Sequence, residues 1–245
     1  MCVCESGTTG YVIPMYFQWN EKLINDFSEN NITSLYQEGY VFTRKEKGMM
    51  SQTRSIRIDL SKFEVSSENK RILRKTEDVQ MKLFPLPFPK YDWSIGKLGK
   101  DFYDTKFGTG TMSANKIKEM FTDPLQSNFN ATFVYFSPSR QMNTEQPIAV
   151  SSEKVLGYCV AFENAHLIHY SYPFYNLQTS AKDMGMGMMV RAIEFAKAKG
   201  KKYIYLGSAQ RPTDTYKLQF AGVEWFDGKE WKSDLDELKS ILSQV

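Results

Sequence analysis

The sequence predicts an α/β (α+β) protein: a mixed sheet flanked by helices, with a smaller N-terminal lobe. Two observations carry this. Between residues 154 and 208 the order is strand, strand, glycine-containing turn, amphipathic segment, strand. Ahead of a proline-spaced connector, alternating apolar and polar residues lead into a short run dense in lysine and arginine.

The elements follow in order. "YVFTRKEKGMMSQTRSIRIDL" carries β-branched and aromatic residues on both sides of a Lys47-Gly48 turn and reads as two strands. "SSENKRILRKTED" offers Ser66 or Ser67 as the N-cap of a basic helix, with Ile72 and Leu73 facing inward. The prolines of "LFPLPFPKYDW", with Gly96 and Gly99 beyond them, read as a connector. The seam is placed there, dividing an N-terminal lobe, 1–90, from a catalytic domain, 91–245. Ser113 caps a short helix bearing Ile117, Met120 and Phe121, and "ATFVYFS" is a strand. Two more strands meet in a hairpin at Glu163-Asn164-Ala165. A helix from about Met188 to Lys199, closed by Gly200, then leads into the strand "YIYLGS".

Composition narrows the function. A chain of 245 residues with 14% aromatic and 24% charged residues is long enough to bury its own core. No apolar run approaches the roughly 18 to 20 residues a membrane span needs, and the start lacks the layout of a signal peptide, so a cytoplasmic protein without a membrane partner is expected. A net charge of +3 is too mild to name an anionic partner, which leaves the question to local clusters. Cys2, Cys4 and Cys159 lack metal or disulfide spacing, and His166 and His169 are the only histidines, so no metal site is expected.

Gly185 and Gly187 precede an amphipathic segment, and Lys182 stands three residues before the first of them. Amides at a helix start converge on an anion or a polarised carbonyl, and glycine lets a ligand come close. The arrangement resembles the pyrophosphate turn of the GCN5-related N-acetyltransferase superfamily; a purely conformational turn is the plain alternative. Met188 and Met189 are expected to pack in the core.

Three separated stretches then resemble the arginyl-tRNA–protein transferase and bacterial leucyl-tRNA–protein transferase family. They are "IRIDLSKFEVSSENKRILRKTED", "GMGMMVRAIEFAKAKGKKYIYLGS" and "TYKLQF", in the family's order. The resemblance implies an N-acetyltransferase-like fold. It also implies an enzyme that moves arginine or leucine from aminoacyl-tRNA to the amino terminus of a protein, as in the N-degron pathway. Lys182, Gly185 and Gly187 would then face the carried end of the tRNA. Lys70, Arg71, Arg74 and Lys75, which stack four apart along a helix, would meet its phosphates. No iron–sulfur cluster is expected: members of the eukaryotic type carry a Cys-x-x-Cys pair, whereas this chain has Cys2-Val3-Cys4.

Aminoacyl transfer to an amine needs a neutral amine, a stabilised oxyanion and a path for the proton to the departing ribose oxygen. Tyr170, Tyr172, Ser208 and Lys217 are the candidate catalytic residues, with Tyr175 beside them and Asp214 available to orient an ammonium. Tyr172 stands where the family commonly has aspartate before Pro173, and "GSAQRPTDTYK" replaces a family run of which Tyr216 and Lys217 remain. His169 is read as a packed, hydrogen-bonded strand histidine, with a proton relay as the alternative. Arg54 and Arg57 are the candidates for the carboxylate of an acidic acceptor terminus. Two other readings stay open: an acyl-CoA-dependent N-acyltransferase and a catalytically degenerate tRNA-binding relative.

Overall fold

A computed structural model describes residues 17–137, 154–178 and 182–244. The chain begins with β1 (Asn20–Leu23), α1 (Glu29–Gln37), β2 (Tyr40–Phe42), β3 (Met49–Gln52), β4 (Ser55–Asp59), α2 (Ser67–Lys75) and β5 (Gln80–Pro85). It continues with α3 (Trp93–Phe107), α4 (Ala114–Thr122), β6 (Ala131–Ser137), β7 (Lys154–Glu163) and β8 (Leu167–Tyr175). Then come α5 (Met184–Ala198), β9 (Tyr203–Ser208), a 3₁₀ turn over Pro212–Gln219, β10 (Val223–Phe226), β11 (Trp231–Lys232) and α6 (Leu235–Ser243).

Eight strands form one mixed sheet in the order β11-β10-β4-β9-β8-β7-β6-β5, and β1, β3 and β2 form a separate small sheet. The mixed α/β class expected from the sequence therefore stands. The seam expected near residue 90 does not divide the large sheet, because β4 and β5 come from before it and supply Ile56, Ile58 and Leu83 to the same core as the later strands. Helices α2, α5 and α6 bury their apolar residues on one face. On the other lie α1, α3, α4 and residues of the small sheet.

Two expectations about glycine and proline are corrected. Pro85 ends β5, an edge strand where a missing amide is tolerated, so part of the supposed connector is sheet. Gly96 and Gly99 lie inside α3. A Cβ at Gly99 would come within 2.3 Å of Ile117 Cδ1, so the residue is small because α4 presses against it, and it does not break the helix.

Two irregularities in β8 open the sheet and divide its side chains. Ala161 pairs with Tyr170 and Val160 with Tyr172, so Ser171 bulges from the ladder. The pairing of β8 with β9 is parallel and stops at His169↔Tyr205, although β8 runs on to Tyr175 and β9 to Ser208. The two strands thus part within the sheet, leaving backbone groups beyond His169 outside their ladder. Because of the bulge, His169 and Tyr172 share one face while Tyr170 belongs to the other.

Candidate active site

The basic helix and the glycine segment meet. Helix α2 is capped by Ser66, which accepts from Asn69 N–H while the Asn69 side chain accepts from Ser66 N–H. At its other end, Arg191 of α5 donates to Thr76 Oγ1 at 2.8 Å and also to the Thr76 carbonyl. Lys75 Nζ lies 3.1 Å from Asp183 Oδ2, just before α5, and Arg71 lies 3.8 Å from the same oxygen. Arg71 is also paired with Glu68. Lys70 and Arg74 differ: both are exposed, and among the described residues neither has an ion pair. With Ser67 and Leu73 they line a shallow depression.

Helix α5 starts at Met184, four residues earlier than expected, which places both glycines inside its first turns. Asp183 adopts a left-handed conformation (φ 74°) and makes no side-chain cap, its carboxylate being drawn to Lys75. The first helical bond runs from Gly187 N–H to the Asp183 carbonyl, so the amides of 184–186 start without helical partners. Each glycine has an intramolecular reason. A Cβ at Gly187 would stand 2.6 Å from Thr76 Oγ1, and one at Gly185 would stand 3.2 Å from the Tyr175 hydroxyl. Burial pushes the Tyr175 hydroxyl up, and the Gly185 N–H beside it holds it partly back. Lys182 is exposed in the turn before the helix.

Where β8 and β9 part, two buried titratable groups, His169 and Lys217, lie close enough to influence one another's charge. Lys217, on the 3₁₀ turn, is buried and donates to the Ser208 carbonyl at 2.6 Å. Burial pushes its ammonium down; Asp214 opposes that shift and Arg211 adds to it. His169 is lowered to about 3, first by burial and then by the Lys217 charge, so it is a neutral imidazole. Its Nδ1 lies 2.9 Å from the Tyr36 hydroxyl. The packed strand histidine expected from the sequence is thus buried within range of the Lys217 charge. Asp214 accepts from Gln210 and Arg211 N–H and caps the turn, which leaves Lys217 without a carboxylate ion pair among the described residues.

The four candidate catalytic residues do not converge on one face. Tyr172 is half-buried on the His169 side, and its hydroxyl accepts from Arg44 N–H at 3.1 Å. Tyr170 points to the opposite face, 6.2 Å from the Phe133 ring centre, and its buried hydroxyl lies near Tyr135 and Cys159 without a hydrogen bond of good geometry among the described residues. The bulge at Ser171 causes this division, and nothing in the residue pattern announced it.

Arg57 is already occupied. Its Nε and Nη2 both lie 2.8 Å from the same oxygen, Glu224 Oε2, and its guanidinium lies 4.0 Å from the Tyr203 ring centre and 3.9 Å from that of Trp231. Its Nε–Nη2 edge is engaged by Glu224 and the residue is buried, so Arg57 holds β4 to β10. Arg54 is buried over Phe17, 4.8 Å from the ring centre, and its carbonyl accepts from Ala209 N–H. The sequence reading missed Arg44, Tyr36 and Tyr103, which gather on the Tyr172 side. Cys2 and Cys4 lie outside the described residues; among those described, no group of three or more His, Cys, Asp or Glu is placed to hold a metal. Nor is any described helix long and apolar enough to cross a membrane.

No family model matches the sequence. The aspartate/glutamate leucyltransferase of Dinoroseobacter shibae is 23% identical over 217 residues, spanning 86% of this chain and 74% of the relative. Among solved structures, L-PGS from Bacillus licheniformis covers 74% of this chain at 12% identity with a TM-score of 0.43. FemX covers 75% at 10% identity with a TM-score of 0.43. A GCN5-related glucosamine N-acetyltransferase region of a fungal multi-domain protein covers 83% at 8% identity with a TM-score of 0.45. This chain spans 52%, 60% and 22% of those three chains.

Proposed function

We propose that this chain is an aminoacyltransferase, carrying leucine from charged tRNA to the α-amine of a protein that begins with aspartate or glutamate. One observation carries the reading: the basic helix α2 is tied directly to the start of α5, through Lys75, Asp183, Thr76 and Arg191, and α5 follows the strand that parts from β9. A cationic surface and a strand opening thus belong to one continuous structure. The family resemblance of the sequence and the relative named for leucine and for aspartate or glutamate support the finer terms.

The chemistry asked of the protein is modest. The amine nitrogen attacks the ester carbonyl carbon, the bond from that carbon to the ribose oxygen breaks, and the amine's proton ends on that oxygen. The buried Lys217 ammonium supplies positive charge where the oxyanion develops, and the same charge disfavours a bound ammonium, which keeps the acceptor amine neutral. Neutral His169 leaves that charge uncancelled. Lys70 and Arg74 hold phosphates of the tRNA, with Arg71 and Lys75 contributing less because acidic neighbours already engage them.

The geometry around the two glycines favours this donor over acyl-CoA. Tyr175 packs at Gly185 and Thr76 at Gly187, so each glycine is explained by packing within the chain and neither calls for a pyrophosphate. The test is to incubate the protein with a mixed pool of charged tRNAs and peptides differing in their first residue. An Asp- or Glu-first peptide that gains the mass of one leucine supports the reading. Peptides unchanged in mass, or modified only when acyl-CoA is supplied, refute it.

A further inference from the structure

We infer that Arg44 is the specificity residue that reads the side-chain carboxylate of the acceptor's first residue; this rests on the aminoacyl transfer proposed above. Arg44 lies in the turn between β2 and β3, on the face of the large sheet opposite α2 and α5. A nucleophile that meets a donor held on the α2–α5 side must come from this other face.

Its surroundings suit an anion. The guanidinium is half-buried and has no carboxylate partner among the described residues; its Nη1 faces the thioether of Met112 at 3.0 Å, a weak acceptor that an oxygen outcompetes. Its Cζ stands 6.0 Å from the centre of the Tyr172 ring, and its backbone N–H donates to the Tyr172 hydroxyl. Tyr103 lies alongside: burial raises its hydroxyl, Tyr172 and Tyr216 add to the shift, and the Arg44 charge opposes it. The Tyr103 hydroxyl donates its proton to the Pro173 carbonyl at 3.2 Å.

A single planar fork between aromatic rings matches one carboxylate, whereas a run of phosphates calls for several spread cations such as those of α2. The other arginines fit less well. Arg57 is committed to Glu224, Arg54 lies over Phe17, and Arg211 is exposed, stacked 5.1 Å from the Phe107 ring centre. Lys217, the remaining buried cation nearby, is tied to Ser208. The acceptor would therefore enter with its first side chain toward Arg44 and Tyr172 and its amine toward Lys217.

The test measures kcat and KM separately with saturating leucyl-tRNA for peptides beginning with Asp, Glu, Asn, Ala and Lys. Arg44→Gln should lose about 30-fold in kcat/KM for Asp- and Glu-first peptides, mainly through KM, with Asn- and Ala-first peptides unchanged. Arg44→Glu should move the preference to Lys-first peptides, and Arg44→Lys should restore part of the acidic preference. The bond from residue 44 N–H to Tyr172 survives all three changes, and thermal melting verifies the fold. An equal loss for every peptide, or an acidic preference retained in Arg44→Gln, overturns this inference alone. A wild-type protein that modifies none of the peptides overturns the transferase reading and this inference with it.

Discussion

Lys217 and Ser208 are joined by a 2.6 Å bond from a buried ammonium to a strand-end carbonyl. That bond fixes a cation at the end of β9, where β9 has left its pairing with β8. A desolvated lysine held by a neutral acceptor keeps its field within the opening, since a carboxylate partner would cancel it. The oxyanion stabilisation proposed for Lys217 depends on this placement.

Replacing Lys217 by Met should lower kcat for aminoacyl transfer about 100-fold while KM for the peptide changes little, the pattern of a group that acts as charge develops. The Ser208 carbonyl left behind should cost about 1 to 3 kcal/mol of stability. Steady-state kinetics together with denaturant unfolding check both numbers. A change in stability alone would make Lys217 structural.

The cations of α2 should fall into two classes. Alanine at Lys70 and Arg74 should flatten the salt dependence of tRNA binding by about one to two units of slope, as two phosphate contacts disappear. Alanine at Arg71 and Lys75 should alter the slope less, because Glu68 and Asp183 already neutralise them. Anisotropy of labelled tRNA across a salt series separates the two pairs.

Gly187→Ala sets a helix-propensity gain of about 1 kcal/mol against a new Cβ placed 2.6 Å from Thr76 Oγ1. Thr76 is short, bonds the Ile72 carbonyl and receives Arg191, so it has little freedom to yield. The clash should win, with a net loss of about 1 to 3 kcal/mol and weaker tRNA binding as α2 shifts from α5. Urea unfolding measures the first effect and tRNA titration the second. A stabilised variant would show that the two helices are not tightly seated.

His169 should make stability fall with acid. Its folded value of about 3 lies below the ordinary 6.5, so the unfolded chain binds the extra proton. The stabilisation is complete above pH 6.5 and drains as the pH falls toward 3, by up to about 1.4 kcal/mol per pH unit. His169→Asn keeps an acceptor for Tyr36 and removes this slope. Carboxylates titrate in both proteins, so the difference between their unfolding curves from pH 6.5 to 4.5 isolates the histidine. Parallel curves would contradict its burial as a neutral ring.

Arg57→Ala should destabilise by about 3 kcal/mol, since Glu224 Oε2 loses both Arg57 nitrogens and, among the described residues, the carboxylate keeps Lys62 at 3.3 Å. Among acceptors, the preference for acidic first residues should be unchanged in whatever fraction folds. Unfolding curves and the peptide panel check the two statements. A lost acidic preference in a stable variant would return Arg57 to the acceptor site.

The parts legible in the sequence were those with local causes. Ser66 and Ser113 cap their helices as their spacing indicates, and the hairpin after Glu163 forms where turn residues interrupt two apolar runs. The adjacency of the basic helix and the glycine segment was expected only through resemblance, and it exists because Arg191 reaches Thr76, 115 positions away. What stayed hidden depends on distant pairing. Arg57 meets Glu224 across 167 positions, Gly99 is small because of Ile117, and a single bulge at Ser171 sends Tyr170 away from Tyr172. Arg44 carries no sequence signal at all; the role inferred for it depends on Tyr172 and Met112, which the fold alone brings to it.

The most direct measurement is the intact mass of an Asp-first peptide after incubation with purified protein and leucyl-tRNA, without CoA. The account predicts a gain of one leucine residue at the amino terminus, abolished when that amine is blocked. An unchanged peptide in the presence of protein that binds tRNA would contradict it.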